Sequence, residues 1–238
     1  MTHYTRRLPA PTIPSDLALL ILDLDGTLID SRADLVTSVN AMLRDVGRDE
    51  LPEERIAAMV GNGAAVLVRR ALSIAGPEPE VELEERALAS FLAHYARHKL
   101  DATTLYPGVA AGLRQLAEAG FTMAVLTNKP VKPSREIVDH LGIAGYFFAV
   151  FGGNSFEYKK PDPVGIRALL ASTGVEARAA VMIGDSAVDV RCGRNAGTWT
   201  AGLTYGFAPE SLRQEPPDWL ADSFDALAAE LCRAKMAQ

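Results

Sequence analysis

Short runs of apolar residues alternate with longer stretches of helical periodicity along most of the chain. Leu19 to Leu22 form the first such run, which stops abruptly at an Asp-Leu-Asp-Gly-Thr turn (residues 23–27). A short apolar run bounded by a turn is typical of a strand buried on both faces. Four later runs have the same character: 121–127, 146–151, 179–183 and 198–203. The hydrophobic pattern therefore predicts five buried strands.

Helical patterns follow or separate these strands, at 109–119, 134–141, 163–172, 189–196 and 223–235. Strands that alternate with helices form βαβ units, and their right-handed crossovers build a parallel sheet with helices on both faces. We therefore predict an α/β protein with a doubly wound parallel sheet. Such sheets bind their ligands at the carboxyl ends of the strands.

Residues 31–104 follow a different pattern. Helical spacing of apolar residues recurs at 33–46, after Pro52, at 64–74 and at 83–95, and no segment has convincing strand character. This predicts a small all-helical cap domain, 31–104, inserted after the first strand of a core made of 16–30 plus 105–238. Residues 1–15 contain three prolines and no apolar core segment, so we expect a disordered lead and no secretory signal.

The composition excludes several classes of function. The 238 residues are 48% hydrophobic and 23% charged, which is typical of a soluble globular protein. A formal net charge of −6 provides no basic surface for nucleic acid or an anionic membrane, and Leu19–Leu22 is far too short to span a bilayer. The only cysteines, Cys192 and Cys232, lack metal-ligand spacing and are typical of reduced thiols. We therefore expect a cytoplasmic protein.

Polar residues collect at the predicted strand ends. Asp23 and Asp25 lie two positions apart, so they share one face of an extended strand and need a positive charge nearby, for which a divalent metal is a candidate. The other strand ends carry Thr127-Asn128, Lys159-Lys160 and Asp185 with Asp189. Each of these groups has an ordinary structural alternative, because such residues also make turns, solvated loops and helix caps.

The combination of these groups is suited to phosphoryl transfer. Four acids without a soft ligand favour Mg²⁺ over zinc, and the four histidines lie elsewhere in the sequence. A carboxylate nucleophile, a second carboxylate as general acid and base, and a lysine clamp are what hydrolysis through an aspartyl-phosphate requires.

Four ordered motifs resemble those of the haloacid dehalogenase superfamily: D-L-D-G-T-L-I-D-S at 23–31, L-T-N at 126–128, K-K-P-D-P at 159–163 and G-D-S-A-V-D at 184–189. The resemblance implies a Rossmann-like core, with Asp23 as the nucleophile and Asp25 as the general acid and base. It also implies that Thr127 and Lys160 hold the phosphoryl oxygens, beside Gly26 and Asn128.

The same resemblance implies a Mg²⁺ site. Its ligands would be the Asp23 carboxylate, the Asp25 backbone carbonyl and Asp185, with Asp189 either a direct ligand or a support for one.

The helical insertion resembles the cap of the phosphoglycolate phosphatase branch, on residues 60–64 and their flanks, with further likeness at 151–154 and 202–206. This implies that Gly61, Asn62 and Gly63 meet the substrate, although a plain turn between helices is the alternative. We expect a Mg²⁺-dependent phosphatase, monomeric or homodimeric, acting on a small phosphorylated metabolite, first of all 2-phosphoglycolate. Pyrophosphate or a sugar phosphate as substrate, transfer to an acceptor other than water, and a non-catalytic binding module of this fold remain alternatives.

Overall fold

The computed structural model describes residues 12–237. Its strands are β1 (Leu19–Leu22), β2 (Ile29–Asp30), β3 (Thr104–Leu105), β4 (Thr122–Leu126), β5 (Ala149–Phe151), β6 (Ala180–Gly184), β7 (Trp199–Leu203) and β8 (Trp219–Ala221). Its α-helices are α1 (Arg32–Asp45), α2 (Glu53–Ala57), α3 (Ala64–Ile74), α4 (Val81–His98), α5 (Val109–Glu118), α6 (Val131–His140), α7 (Val164–Thr173), α8 (Ala187–Ala196), α9 (Pro209–Gln214) and α10 (Phe224–Met236).

One parallel sheet contains six of these strands, in the order β5-β4-β1-β6-β7-β8. Without the short pair β2 and β3, the order is the 3-2-1-4-5-6 of a doubly wound fold. β1 lies at the centre, with Leu22 level with Val125 of β4 and with Ile183 of β6. The winding reverses at β1, so a crevice forms at the carboxyl ends of β1, β4 and β6. The predicted α/β class is confirmed.

Hydrophobic clusters cover both faces of the sheet. Alternate residues of β1 enter different clusters: Leu20 and Leu22 pack on the face covered by α5 and α10, whereas Leu19 and Ile21 pack on the face covered by α7. All four are 0% exposed, which explains why β1 is a continuous apolar run instead of an alternating one. Among residues 12–237, no helix is long and apolar enough to cross a membrane.

Helices α1 to α4 surround a hydrophobic cluster of their own, which includes Leu35, Leu67 and Phe91. The two chain segments that connect these helices to the sheet are joined at Asp34. Its carboxylate accepts hydrogen bonds of 2.7–3.2 Å from the backbone of Ala102 and Thr103 and from the Thr103 hydroxyl. This separate core supports a helical unit over 31–104, although its exact boundaries stay a prediction.

Several short elements differ from the predicted ones. The pattern predicts no strand between residues 22 and 121 and none after residue 203, yet β3 pairs with β2 and β8 pairs with β7. Strands of two or three residues are too short to show an alternation. α9 is likewise unpredicted, and Tyr146 belongs to a short 3-10 helix, so β5 begins only at Ala149.

The predicted disordered lead lies mostly outside the described residues, which begin at Thr12. Within the described part, Ile13 is partly buried against the cluster beneath α5 and α10. Packing against the core therefore starts before residue 16, where the sequence places the beginning of the core.

Candidate active site

Three neighbouring strands deliver polar side chains to the same end of the sheet. Asp23 follows β1, Thr127 follows β4 and Asp185 follows β6. The three residues are 7%, 3% and 3% exposed, so the hydroxyl and both carboxyl groups lie largely out of water. Since an ionised carboxylate out of water is costly, the environment of these acids must compensate their charge.

Lys160 supplies part of that compensation. Its Nζ lies 2.8 Å from Asp23 Oδ1 and 2.6 Å from Asp189 Oδ1, and its side chain is 2% exposed. Burial disfavours the charge on this lysine, but the carboxylates of Asp189 and Asp23 outweigh burial and raise the pKa of Lys160 above its ordinary value. Lys160 is therefore a fixed positive charge beside Asp23, whereas its neighbour Lys159 is exposed.

Asp189 is held at both of its oxygens. Oδ1 accepts from Lys160, and Oδ2 accepts from the Ser186 backbone N–H at 3.2 Å and from the Ser186 hydroxyl at 2.7 Å. Ser186 is the N-cap of α8 and Asp189 lies in the first turn of that helix, so the two residues also close the helix end. Asp189 thus anchors Lys160 to the start of α8.

Asp185 lies in a cradle of backbone. Its Oδ2 accepts hydrogen bonds from the N–H groups of Phe207 at 2.6 Å and Ala208 at 3.2 Å. A methyl group on Gly26 or Gly206 would overlap Asp185, so both positions require glycine for space. Gly26 also has a φ of +79°, and its N–H already donates to the Ile29 carbonyl at 3.0 Å. Gly26 therefore contributes the space that the Asp185 carboxylate occupies.

Among the described residues, the negative charges of the carboxylates near Asp185 exceed the positive charges beside them. Oxygens of Asp23, Asp185 and Asp189 lie within 4.8 Å of one another. Burial raises the pKa of Asp23 to about 6 in spite of Lys160, and burial, followed by the charges of Asp189 and Asp23, raises the pKa of Asp185 to about 8. A bound divalent cation would offset the repulsion among clustered carboxylates with raised pKa values. A set of ligands that are all oxygen atoms fits Mg²⁺. These residues therefore fit the metal that the sequence predicts.

Asp25 is paired with a lysine that the sequence reasoning missed. Lys129 Nζ lies 2.8 Å from both oxygens of Asp25, and the Ser31 hydroxyl donates to Oδ1 at 2.5 Å. Lys129 is 6% exposed. Burial opposes its charge, but Asp25 outweighs burial and raises the pKa of Lys129 above its ordinary value. The site thus contains four carboxylates and two ammonium groups, which leaves an excess of two negative charges when all are ionised.

Thr127 and Asn128 have different surroundings. The Thr127 oxygen accepts a hydrogen bond of 3.2 Å from the Lys129 backbone N–H, and its side chain lines a cavity. The Asn128 side-chain amide donates to two carbonyls, of Gly61 and of Lys160, each at 3.0 Å. Asn128 therefore bridges the loop before α3 and the loop that carries Lys160.

The predicted substrate loop lies against these strand ends. Gly61 and Gly63 line the cavity, and Gly63 is close to the Asn128 carbonyl and to the Lys159 side chain. Asn62 lies between them but is not one of the described residues that form the cavity wall. The structure thus brings the two glycines, but not Asn62, to the predicted site.

The cavity separates two chemically different walls. The sheet side contributes mainly polar residues, Asp23, Asp25, Thr127, Asn128 and Lys129, with Pro130 and Pro133. The helical side contributes mainly apolar ones, Leu35, Val60, Gly61, Gly63, Ala64, Leu67, Phe91, Leu92 and Tyr95. Asp23 and Asp25 both line this cavity, although each is paired with a different lysine.

Lys129 and the backbone amides of Phe207 and Ala208 were not predicted from the sequence, for different reasons. Lys129 directly follows Thr127-Asn128 at the end of β4, so its position at a strand end was an available signal. The amides of Phe207 and Ala208 reach Asp185 from the loop after β7. A backbone donor has no signature of residue type, so the sequence could not reveal these two.

Comparison with known proteins places this geometry in a family. A family model described as haloacid dehalogenase-like hydrolase matches residues 20–203. A phosphoglycolate phosphatase of Vibrio parahaemolyticus is 40% identical over 216 residues, covering 89% of this chain and 95% of the relative. One of Rhodospirillum rubrum is 40% identical over 197 residues, covering 81% and 82%.

Solved structures agree with these relatives. The crystal structure of a predicted phosphoglycolate phosphatase from Haemophilus somnus 129PT superposes with a TM-score of 0.86 and 32% identity, covering 94% of this chain and 99% of the other. The chain therefore belongs to the haloacid dehalogenase-like hydrolase family. Within that family it is a phosphatase, that is, a phosphoric monoester hydrolase.

Proposed function

We propose that the protein hydrolyses 2-phosphoglycolate to glycolate and phosphate, through an aspartyl-phosphate on Asp23. The observation that carries this proposal is the buried pair of Asp23 and Lys160, which lies at the end of the central strand and beside the cavity. The relatives are named phosphoglycolate phosphatases, which supports 2-phosphoglycolate as the substrate.

In the first step, a carboxylate oxygen of Asp23 attacks phosphorus and the bond from phosphorus to the ester oxygen breaks. Asp25 gives its proton to that oxygen, so glycolate leaves as the alcohol. In the second step, a water molecule gives a proton to Asp25 and its oxygen attacks phosphorus, which releases phosphate and restores Asp23. Thr127 and Lys160 bind the phosphoryl oxygens throughout, as a hydroxyl donor and an ammonium donor.

Asp23, Asp185 and the backbone carbonyl of Asp25 would hold Mg²⁺. Mg²⁺ bound there would supply positive charge to balance the negative charge of the phosphoryl group. Because both Asp189 oxygens are already engaged by Lys160 and Ser186, we propose that Asp189 positions Lys160 and is not a direct ligand. Gly26 provides space for Asp185, and Asn128 holds Gly61 of the substrate loop in place.

The helical unit, residues 31–104, acts in this proposal as a cap over a core of 16–30 plus 105–238. Its apolar wall excludes water from the reaction, apart from the molecule that Asp25 activates. A cytoplasmic location and a monomeric or homodimeric state stay predictions from the sequence.

A panel of phosphoesters with Mg²⁺ tests the substrate. We expect the kcat/KM for 2-phosphoglycolate to exceed that for pyrophosphate and for hexose phosphates by roughly tenfold or more, since a cavity with fixed polar groups selects its substrate by size and charge. A preference of similar size for pyrophosphate or a hexose phosphate would overturn the substrate assignment. Turnover of no ester by a folded, Mg²⁺-loaded protein would favour a binding module.

A further inference from the structure

Two polar groups in the cavity have no part in the phosphoryl chemistry described above. They are the ammonium group of Lys129, at the end of β4, and the hydroxyl of Tyr95, in the last turns of α4. They approach the cavity from opposite walls, one from the sheet side and one from the helical side. Among the described residues that form the cavity wall, Lys129 is the only one with a positive charge.

Lys129 and Tyr95 are in direct contact. The Lys129 Nζ lies 4.7 Å from the centre of the Tyr95 ring, in a cation–π arrangement. Tyr95 is 4% exposed, and burial raises the pKa of its hydroxyl to about 12, so the group remains a hydrogen-bond donor at neutral pH. The Tyr95 oxygen lies beside the Lys129 ammonium group, which can donate a hydrogen bond but cannot accept one. Among the described residues, no group accepts a hydrogen bond from the Tyr95 hydroxyl.

A buried hydroxyl without an acceptor and a buried ammonium group in one cavity are suited to an anion. The phosphoryl group already has its own donors in Thr127 and Lys160, on the Asp23 side. An anion near Lys129 and Tyr95 is therefore a second group on the substrate.

We propose that Lys129 and Tyr95 form the binding site for the carboxylate of the substrate and select phosphate esters of small hydroxy acids. This inference rests on the proposed function and adds the residues that would recognise the non-reacting end of the substrate. Lys129 provides the charge from the core, and Tyr95 provides a directed donor from the helical unit. A bound carboxylate would join the two walls of the cavity.

The same contact links recognition to chemistry. In the structure both Asp25 oxygens accept from Lys129, and Oδ1 also accepts from Ser31. Neither oxygen is then free to approach the ester oxygen of a substrate. A carboxylate that attracts Lys129 would release Asp25 from this pair, so Asp25 becomes available when a substrate with the correct acid group is present.

The test compares 2-phosphoglycolate with the phosphate ester of glycolamide, which has nearly the same shape but no carboxylate charge. The readout is the ratio of the two kcat/KM values, measured in the Mg²⁺-loaded full chain. We expect the wild type to prefer the acid by roughly 100-fold, since a site with buried charge discriminates strongly against an analogue that lacks the partner charge.

Three variants of the site and one control variant determine which residues cause that preference. Lys129→Met is expected to bring the ratio close to one, and Lys129→Arg to retain most of the preference. Tyr95→Phe leaves the pair of Lys129 and Asp25 intact and is expected to lower the ratio by roughly tenfold, the effect of one charge-assisted hydrogen bond. Lys132→Met, which removes an exposed lysine three residues further on, is expected to leave the ratio unchanged.

The outcomes separate this inference from the proposed function. If the wild type shows no preference for 2-phosphoglycolate over other phosphoesters, the proposed function fails. If the wild type prefers the acid but Lys129→Met and Tyr95→Phe slow both esters equally, the ratio is unchanged and the carboxylate site is overturned. In that case Lys129 only positions Asp25. Should Lys129→Met fail to fold, Tyr95→Phe and Lys129→Arg decide the question.

Discussion

The two walls of the cavity differ in chemistry and in how they are fixed. The sheet wall carries Asp23, Asp25, Thr127 and Lys129 on segments that leave the parallel sheet, whose backbone hydrogen bonds fix their positions. The helical wall is a surface of leucine, valine and phenylalanine side chains with one hydroxyl, that of Tyr95. Groups that make and break bonds need fixed geometry, whereas groups that admit and select a substrate need to move.

Few polar contacts connect the walls. Asn128 donates to Gly61, Lys129 lies against Tyr95, and Lys99 makes an ion pair of 2.9 Å with Glu136. The ion pair is partly exposed, and exposed ion pairs are individually weak. The other two contacts are single interactions of buried side chains. We therefore expect the helical wall to separate from the sheet wall when substrate enters, while the sheet wall keeps its geometry.

The largest expected effect comes from removing a charge from the sheet wall. Lys160→Met should lower kcat by roughly 1,000-fold, because it removes a preorganised donor to the phosphoryl group. It should also lower the free energy of unfolding by about 3 kcal/mol, because Asp23 and Asp189 lose their buried partner. Steady-state kinetics and urea unfolding measure both effects.

Its neighbour provides the matched control. Lys159→Met removes the same charge from an exposed position, and should change the free energy of unfolding by less than about 0.5 kcal/mol. Equal losses of kcat in the two variants would contradict the assignment of the phosphoryl site to Lys160.

A pH series tests the excess of negative charge in the sheet wall. The pKa of Asp185 rises from 3.8 to about 8 on folding, so the folded protein binds this proton more tightly than the unfolded chain does. The metal-free protein should therefore lose stability as the pH rises from 3.8 to about 8. Asp185→Asn cannot titrate at this position, so it should flatten the curve between about pH 6, the raised pKa of Asp23, and about pH 8. The metal-free variant should be more stable than the wild type at about pH 8. Urea unfolding in EDTA measures the slope.

Mg²⁺ should restore stability to the wild type at the alkaline end of this series, and should have little effect on Asp185→Asn, which also loses activity. Asp49→Asn makes the same substitution at an exposed position and should behave as the wild type does. A wild-type curve without a slope between these pH values would show that Asp185 is not held in an unfavourable charged state.

The smallest effect is expected at the link between the walls. Asn128→Ala removes both hydrogen bonds of the side-chain amide and should raise KM by roughly tenfold, because the loop of Gly61 loses its attachment. Asn62→Ala, in the same loop but outside the cavity wall, should change KM less than about twofold. A larger increase in KM for Asn62→Ala than for Asn128→Ala would show that Asn62 contacts the substrate.

The contrast between the walls also explains what the sequence could predict. The sheet, its direction and its polar strand ends follow from short apolar runs that stop at Asp, Thr or Gly, and these features are local in the sequence. The pairing of Asp23 with Lys160 and of Asp25 with Lys129 is not local. Sequence spacing predicted one shared face for the two aspartates, and gave no means of finding that each has its own lysine.

For the helical wall, the sequence predicts the helices but not which of their residues line the cavity. Amphipathic spacing predicted α1, α3 and α4, but every buried residue of these helices looks alike in the pattern, whether it faces the cluster around Phe91 or the cavity. Tyr95 is one such residue. The backbone donors of Phe207 and Ala208, and the strands β3 and β8, are likewise invisible because they depend on contacts between distant segments.

The role of Asp23 as nucleophile is tested most directly by identifying the residue that is phosphorylated during turnover. The enzyme is quenched with borohydride while it hydrolyses substrate, and its peptides are then sequenced by mass spectrometry. Borohydride reduces an aspartyl-phosphate to homoserine, so we predict homoserine at position 23 and none there in Asp23→Asn, which should be inactive. Homoserine at another aspartate, or turnover by Asp23→Asn, would contradict the role of Asp23 as nucleophile.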